Sequence, residues 1–140
     1  MAALAVEVAL RWGDLDAYGH INNVAVLRIL EEARSRGFWD NEAIPLPPLR
    51  PEESTWSLVA EVSARYRRPL DYSSEPVEVR MTVSRVRGAS FTIHYSVFAP
   101  AVEGVHVEAE TVIVLIDAQS GAPTRLSPEL RAALGTVNDR

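Results

Sequence analysis

Hydrophobic positions change their period along the chain, and each change marks an element. Val6, Val8, Leu10 and Trp12 alternate with other residues, which predicts a first strand of about seven residues. Gly13, Asp14, Asp16, Gly19 and Asn22 follow, and these turn formers stop the strand within residues 13–22. From Asn23 the period becomes helical. Val26, Ile29, Leu30, Ala33 and Gly37 fall on one face, with Arg28, Glu31, Glu32, Arg34, Ser35 and Arg36 on the other. Glu32 and Arg36 form an i,i+4 pair, and either Asn22 or Asn23 can cap the start. This helix is expected to reach about Trp39, some 25 Å at about 1.5 Å per residue.

Residues 40–54 hold Pro45, Pro47, Pro48 and Pro51 with three glutamates, the composition of an exposed loop. Four strand-like runs follow. Trp56, Leu58, Ala60, Val62, Ala64 and Tyr66 keep strict period two, as do Val77, Val79, Met81 and Val83, and then Phe91, Ile93, Tyr95 and Val97. Val105, Val107 and Ala109 open a last strand that turns wholly apolar in Val112–Ile116. Gly88 and Gly104 mark connections between strands. A turn at Gln119–Gly121 leads to a short helix from about Ser127, with Pro128 at its first position. Four successive strands with short links form an antiparallel arrangement, and the long helix must bury its stripe against it. The expectation is an α+β fold, a helix on one face of a five-stranded antiparallel sheet, as one domain over residues 1–140.

Composition narrows the chemistry. The chain has 140 residues, enough for one core, with 47% hydrophobic and 24% charged residues. A net charge of -5 and three scattered histidines speak against a compact basic face, so no nucleic-acid partner is expected. The absence of cysteine excludes disulfides, thiolate-bound metals and cysteine nucleophiles. No His-x-x-x-His spacing and no glycine-rich phosphate loop occurs, so neither a metal site nor a cofactor is expected. The apolar start Met1–Val6 lacks a basic leader and meets Glu7 at once, unlike a signal peptide. No apolar run nears the roughly 20 residues needed to span a bilayer. The expected location is cytoplasmic, with no membrane partner.

The stretch Arg11-Trp-Gly-Asp-Leu-Asp-Ala-Tyr-Gly-His-Ile-Asn-Asn23 is a polar loop leading into the start of the long helix. The first N–H groups of a helix lack internal partners and carry the positive end of its dipole. Such an end favours an oxyanion, of the kind that develops on the carbonyl oxygen when a thioester is cleaved. A carboxylate a few residues earlier can attack a carbonyl carbon or deprotonate water. Asp14, Asp16 and the asparagines are equally the usual residues of turns and caps. On pattern alone the two explanations stand level.

Asp14-x-Asp16-x-x-Gly19-His-Ile-Asn-Asn23, followed on the helix by Leu30-Glu-Glu-Ala-Arg34, closely resembles the 4-hydroxybenzoyl-CoA thioesterase-like family of acyl-CoA thioester hydrolases. Arg65-Tyr-Arg-Arg-Pro-Leu70 and the apolar Val112–Ile116 before Asp117 extend the likeness from Val6 to about Leu134. The resemblance implies a hot-dog fold, a sheet of strand order 1-3-4-5-2 wrapped around the long helix. It implies a homodimer joined through the second strands, or a homotetramer of such dimers, with acyl-CoA bound at the dimer interface. Position by position, Asp16 matches the catalytic carboxylate, and the backbone N–H of Asn23 matches the donor that polarises the thioester carbonyl. Gly19 supplies the tight turn, while His20 and Asn22 hold the loop near the thioester. Glu31 matches the helix pattern and is a candidate to touch substrate. Arg65, Arg67 and Arg68 are candidates for coenzyme A phosphates, because guanidinium forks suit phosphate oxygens. The chain departs from the family at Val26, where many relatives carry tyrosine.

Asp14 is expected to fix the loop, and His94 and His106 to be ordinary surface residues on the polar faces of their strands. Two alternatives accompany hydrolysis. One is a hot-dog enoyl-CoA hydratase or dehydratase, which would pair Asp16 with a histidine such as His20. The other is a non-catalytic acyl-CoA-binding module that keeps the pocket without the chemistry.

Overall fold

The computed structural model describes residues 2–139, and one antiparallel sheet organises them. Its strands are β1 (Leu4–Val8), β2 (Thr55–Tyr66), β3 (Val77–Ser84), β4 (Ser90–Phe98) and β5 (Val105–Asp117). They lie in the order β1-β3-β4-β5-β2, as the resemblance implies. The long helix α1 (Asn23–Arg34) and a short helix α2 (Pro128–Gly135) complete the fold. α1 buries Ala25, Val26, Ile29, Leu30 and Ala33, the stripe its period predicts, against inward side chains such as Val79, Met81, Phe91, Ile93 and Tyr95. Its end continues through a π-helical turn, Ser35–Trp39, in which the Asp40 N–H reaches the Ser35 carbonyl at 3.0 Å. Gly37 sits where a Cβ would stand 2.7 Å from Met81 Cε and 3.4 Å from Val6 Cγ2. That close approach is what seats the end of the helix on β1 and β3.

Three local expectations are corrected. The first strand ends at Val8 instead of reaching Trp12, because its partner β3 begins with Val77, opposite Val8, and Pro76 before it has no N–H to extend the ladder. Beyond Val8 the alternating residues stay extended only as far as a 3₁₀ turn at Trp12–Asp14, and Trp12 is 73% exposed. The loop 40–54 is not wholly a surface segment, since Ile44 is buried and Leu46 packs against the core. The largest correction concerns β2. A β-bulge at Ala60 lets Val59 pair with Ile113 and Glu61 with Val112, so the strand reverses its faces there. Val62, Ala64 and Tyr66 then share the helix side with Thr111, Ala109 and Val107, while Trp56 and Leu58 lie on the outer face with Ile116 and Val114. Strict period two in the sequence therefore does not put these six residues on one face.

β2 forms one edge of the sheet and is half-exposed or exposed along its whole length. Leu58, Val59, Val62 and Tyr66 all show large apolar surface there. Between α1 and β2 runs an open groove lined by Arg28, Glu31, Trp39, Leu49, Ser57 and Val59. Among the described residues no helix is long and apolar enough to cross a membrane.

Candidate active site

The loop from Arg11 to Asn22 is built around two aspartates held in different ways. Asp14 is buried. Arg11 grips it through both carboxylate oxygens, with Nε at 2.9 Å from Oδ2 and Nη2 at 2.8 Å from Oδ1, and Arg28 Nη2 lies 3.4 Å from Oδ2. The Arg11 hydrogen bonds hold the Asp14 carboxyl below the usual carboxylate range. The Asp14 carbonyl in turn accepts from Asn22, through the backbone N–H at 2.9 Å and Nδ2 at 2.8 Å. Asp14 thus ties the loop to α1, the anchoring role expected of it.

Asp16 is exposed and is held by backbone alone. Its Oδ1 accepts from the Tyr18 N–H at 2.8 Å and the His20 N–H at 3.2 Å, leaving Oδ2 free. Those amides, His20 first, lower its pKa, so the group stands as a carboxylate. The Asp16 N–H bonds the His20 carbonyl at 2.8 Å and the Gly19 N–H bonds the Asp16 carbonyl at 3.1 Å, closing a four-residue turn. Gly19 completes that turn at φ +80°, a left-handed conformation that glycine alone adopts freely. No atom lies within 4 Å of a Cβ built there, so backbone conformation and not space within the chain calls for glycine.

Of the two candidate caps, Asn22 is the one used. Its Oδ1 accepts from the Ala25 N–H at 2.8 Å, and its carbonyl accepts from the Val26 N–H at 3.1 Å. The amides of Asn23 and Val24 are the first two of the helix and have no intrahelical acceptor. The His20 imidazole has Nε2 3.7 Å from Asp71 Oδ1, and no hydrogen bond joins it to the Asp16 carboxylate among the described residues, so the two do not form a bonded acid–base pair of the hydratase kind. The loop is pinned to the segment before β3, where the Ile21 N–H donates to the Leu70 carbonyl at 2.8 Å.

The other sequence candidates divide. Arg67 and Arg68 line a small cleft with Ile21, Val26 and Leu70, so they adjoin the loop. Arg67 also bonds Glu108 Oε2 at 2.7 Å, and Arg68 donates to the Glu103 carbonyl at 2.6 Å. Arg65 pairs in register with Glu108 and projects from the outer face of the sheet, away from that cleft. Glu31 lies in the α1–β2 groove, exposed and 3.6 Å from Arg34. Val26 is buried beneath the loop, where its methyl groups form part of the core. The expectation that both His94 and His106 are surface residues fails. His106 is 3% exposed, with Nδ1 3.2 Å from the Gly104 carbonyl, and His94 is half-buried in a polar network. Periodicity assigned each to the polar side of its strand and carried no signal of what covers that side.

Known proteins bear on this arrangement. No curated protein matches the chain. Among solved structures, a protein of Pseudomonas aeruginosa shares 24% identity at a TM-score of 0.82, over 96% of this chain and 91% of that one. The probable thioesterase YbaW of Escherichia coli shares 24% identity at 0.78, over 95% and 97%. A 1,4-dihydroxy-2-naphthoyl-CoA thioesterase from Synechocystis shares 16% identity at 0.82, over 95% and 96%. At these identities the likeness is one of fold. The sequence model of the thioesterase-like superfamily matches residues 10–134, which takes in the loop, α1, and β2 to β5. With the strand order, the helix-backed sheet and this match together, the chain belongs to the thioesterase-like superfamily, a thioester hydrolase with the hot-dog fold.

Proposed function

We propose that the protein hydrolyses an acyl-CoA thioester to free acid and coenzyme A, with Asp16 as its catalytic carboxylate. One observation carries this: Asp16 is ionised, with Oδ1 held by two amides and Oδ2 free, in the loop that runs directly into the start of α1. A carboxylate so held acts as nucleophile or base and not as an acid. It either attacks the carbonyl carbon, giving an anhydride that water then opens, or removes a proton from the attacking water. In the first route the carbon–sulfur bond breaks to a thiolate that takes its proton from solvent, and water opening the anhydride returns a proton and restores the carboxylate. In the second, the proton taken by Asp16 passes to the departing sulfur as that bond breaks. The negative charge that develops on the carbonyl oxygen is matched by the Asn23 N–H at the positive end of α1.

Gly19, His20 and Asn22 shape the loop about the thioester, and Glu31 borders the groove beside it. Arg67 and Arg68, next to Ile21 and Val26, suit the phosphates of coenzyme A, whereas Arg65, on the outer face of the sheet, stands apart from that cleft. The Synechocystis relative named for a CoA thioester supports that substrate class. β2 is a 12-residue edge with exposed apolar side chains, a surface suited to pairing with its counterpart in a second copy. A homodimer formed there, alone or doubled into a homotetramer, would close the open groove between α1 and β2. Residues 1–140 act in this proposal as one domain, working in the cytoplasm.

The test is Asp16→Asn, assayed for thiol release with aromatic, short-chain and long-chain acyl-CoAs. Turnover is expected to fall about 10²–10⁴-fold, the usual effect of losing a positioned base. A folded variant that keeps near wild-type turnover removes Asp16 from the mechanism. Loss of conjugated absorbance from an enoyl-CoA, without thiol release, would favour hydration instead.

A further inference from the structure

A second polar constellation lies on the face of the sheet opposite α1. Ser84 closes β3, His94 is central in β4 and Glu110 is central in β5. All three occupy outward positions, because their neighbours Val83, Ile93, Tyr95, Ala109 and Thr111 face the core. The register pairs His94 with Thr82 on one side and Glu110 on the other, which puts Ser84 on the adjacent diagonal. Ser84 Oγ is 2.6 Å from His94 Nε2, and His94 Nδ1 is 3.1 Å from Glu110 Oε1. A carboxylate can only accept, so it favours the tautomer protonated at Nδ1. That leaves Nε2 to accept the Ser84 hydroxyl proton, the arrangement of an activated serine.

Two further observations set this group apart from scattered surface polarity. The residue after Ser84, Arg85, is the one described non-glycine residue in the left-handed region, at φ 48°. Strain of that kind persists only where surrounding contacts hold it. Here the contacts are to the acid: Arg85 Nη2 lies 2.7 Å from Glu110 Oε2, and Arg85 Nε donates to Thr92 Oγ1 at 3.4 Å. Beside His94 and Glu110 the sheet also opens into a depression of about 440 Å³, lined by Ser63, Arg65, Ser96 and Glu108. The short side chains of Ser63 and Ser96 leave this room beside the imidazole and Glu110, while Ser84, held 2.6 Å from Nε2, lies outside its lining.

We propose that Ser84 is a second nucleophile that cleaves small carboxylic esters, with His94 as its base and Glu110 and Arg85 as positioning residues. The Ser84 oxygen bonds to the ester carbonyl carbon as its proton passes to His94 Nε2. The bond to the alcohol oxygen then breaks and the alcohol leaves with that proton. Water next attacks the acyl-serine through His94, releasing the acid and restoring the Ser84 hydroxyl. The site shares no residue with the Asp16 loop, and it stands whether or not that loop hydrolyses acyl-CoA.

The probe is 4-nitrophenyl acetate, given to the Asp16→Asn protein so that the loop does not contribute. Nitrophenol release is expected, with any trapped acetyl group on the peptide containing Ser84. Adding Ser84→Ala or His94→Gln to that background is expected to slow release about 10²-fold or more. Glu110→Gln should lower kcat and leave KM unchanged, which a merely structural role would not do. Ser84→Ala alone should keep acyl-CoA turnover within about twofold, the size of a remote surface change, which also reports that the variant folds. Equal release rates with and without Ser84, or an acetyl group trapped on another residue, would overturn the proposal.

Discussion

Two aspartates two positions apart do different work because different groups reach them. Asp14 faces a guanidinium in bidentate contact, whereas Asp16 is hydrogen-bonded by backbone amides of its own turn. Both are lowered below the ordinary carboxylate range, so each favours the folded state when ionised. For a depressed carboxylate that contribution is complete above the unfolded value, about 3.9, and is lost as pH falls through the folded value. Arg11→Ala removes the main cause of the Asp14 shift. Its acid unfolding midpoint, followed by circular dichroism, should therefore move to higher pH than wild type, and an unmoved midpoint would deny Asp14 its anchoring role. The same sign applies to activity. With Asp16 ionised, the acid limb of kcat/KM should lie at or below about pH 4, and a limb well above that would assign the titration to another group.

At the scale of elements, the junction of loop and helix matters most. Asn22 serves both, capping α1 through Oδ1 and holding the Asp14 carbonyl through Nδ2. Asn22→Ala should cost about 1 kcal/mol in urea unfolding, the usual loss for such a cap. It should also lower thioesterase turnover, because it loosens the Asp16 turn against the start of the helix. Full turnover with full stability would mean that neither bond matters. β2 shows the opposite relation between pattern and element. The bulge at Ala60 reverses its faces, so Val62 and Tyr66 join the helix side while Trp56 and Leu58 stand on the outer face beside Ile116 and Val114 of β5.

For the molecule as a whole, the exposed edge of β2 decides how copies meet. Val62 stands near the middle of that edge, on the helix side and 48% exposed. Val62→Lys places a charge where the proposed partner strand would pack, and lysine is a common means by which edges resist pairing. The variant should sediment as a monomer with an unchanged circular dichroism spectrum. It should lose at least about tenfold in acyl-CoA turnover, which corresponds to roughly 1.4 kcal/mol of transition-state stabilisation. A wild type that is itself monomeric and fully active would remove the dimer from the mechanism.

What the sequence determined by itself is local or periodic. The helical stripe from Val26 to Gly37 is buried as its spacing predicts, and the α+β order follows from the succession of periods. The Asp16 turn was legible because a short acid, a glycine and the following amides lie within five residues, close enough to close on themselves. The tertiary structure alone decided what depends on pairing between distant strands. Pro76 ended β1 from across the sheet, and the bulge set which side of β2 each residue faces. The fold brought Arg67 and Arg68 beside Ile21 and Val26 but sent Arg65 to the outer face. It also buried His106 and brought Ser84, His94 and Glu110 together on the outer face of three neighbouring strands. Neighbours across a sheet are set by strand register, and register is a property of two chain segments at once, so it cannot be read from either one alone.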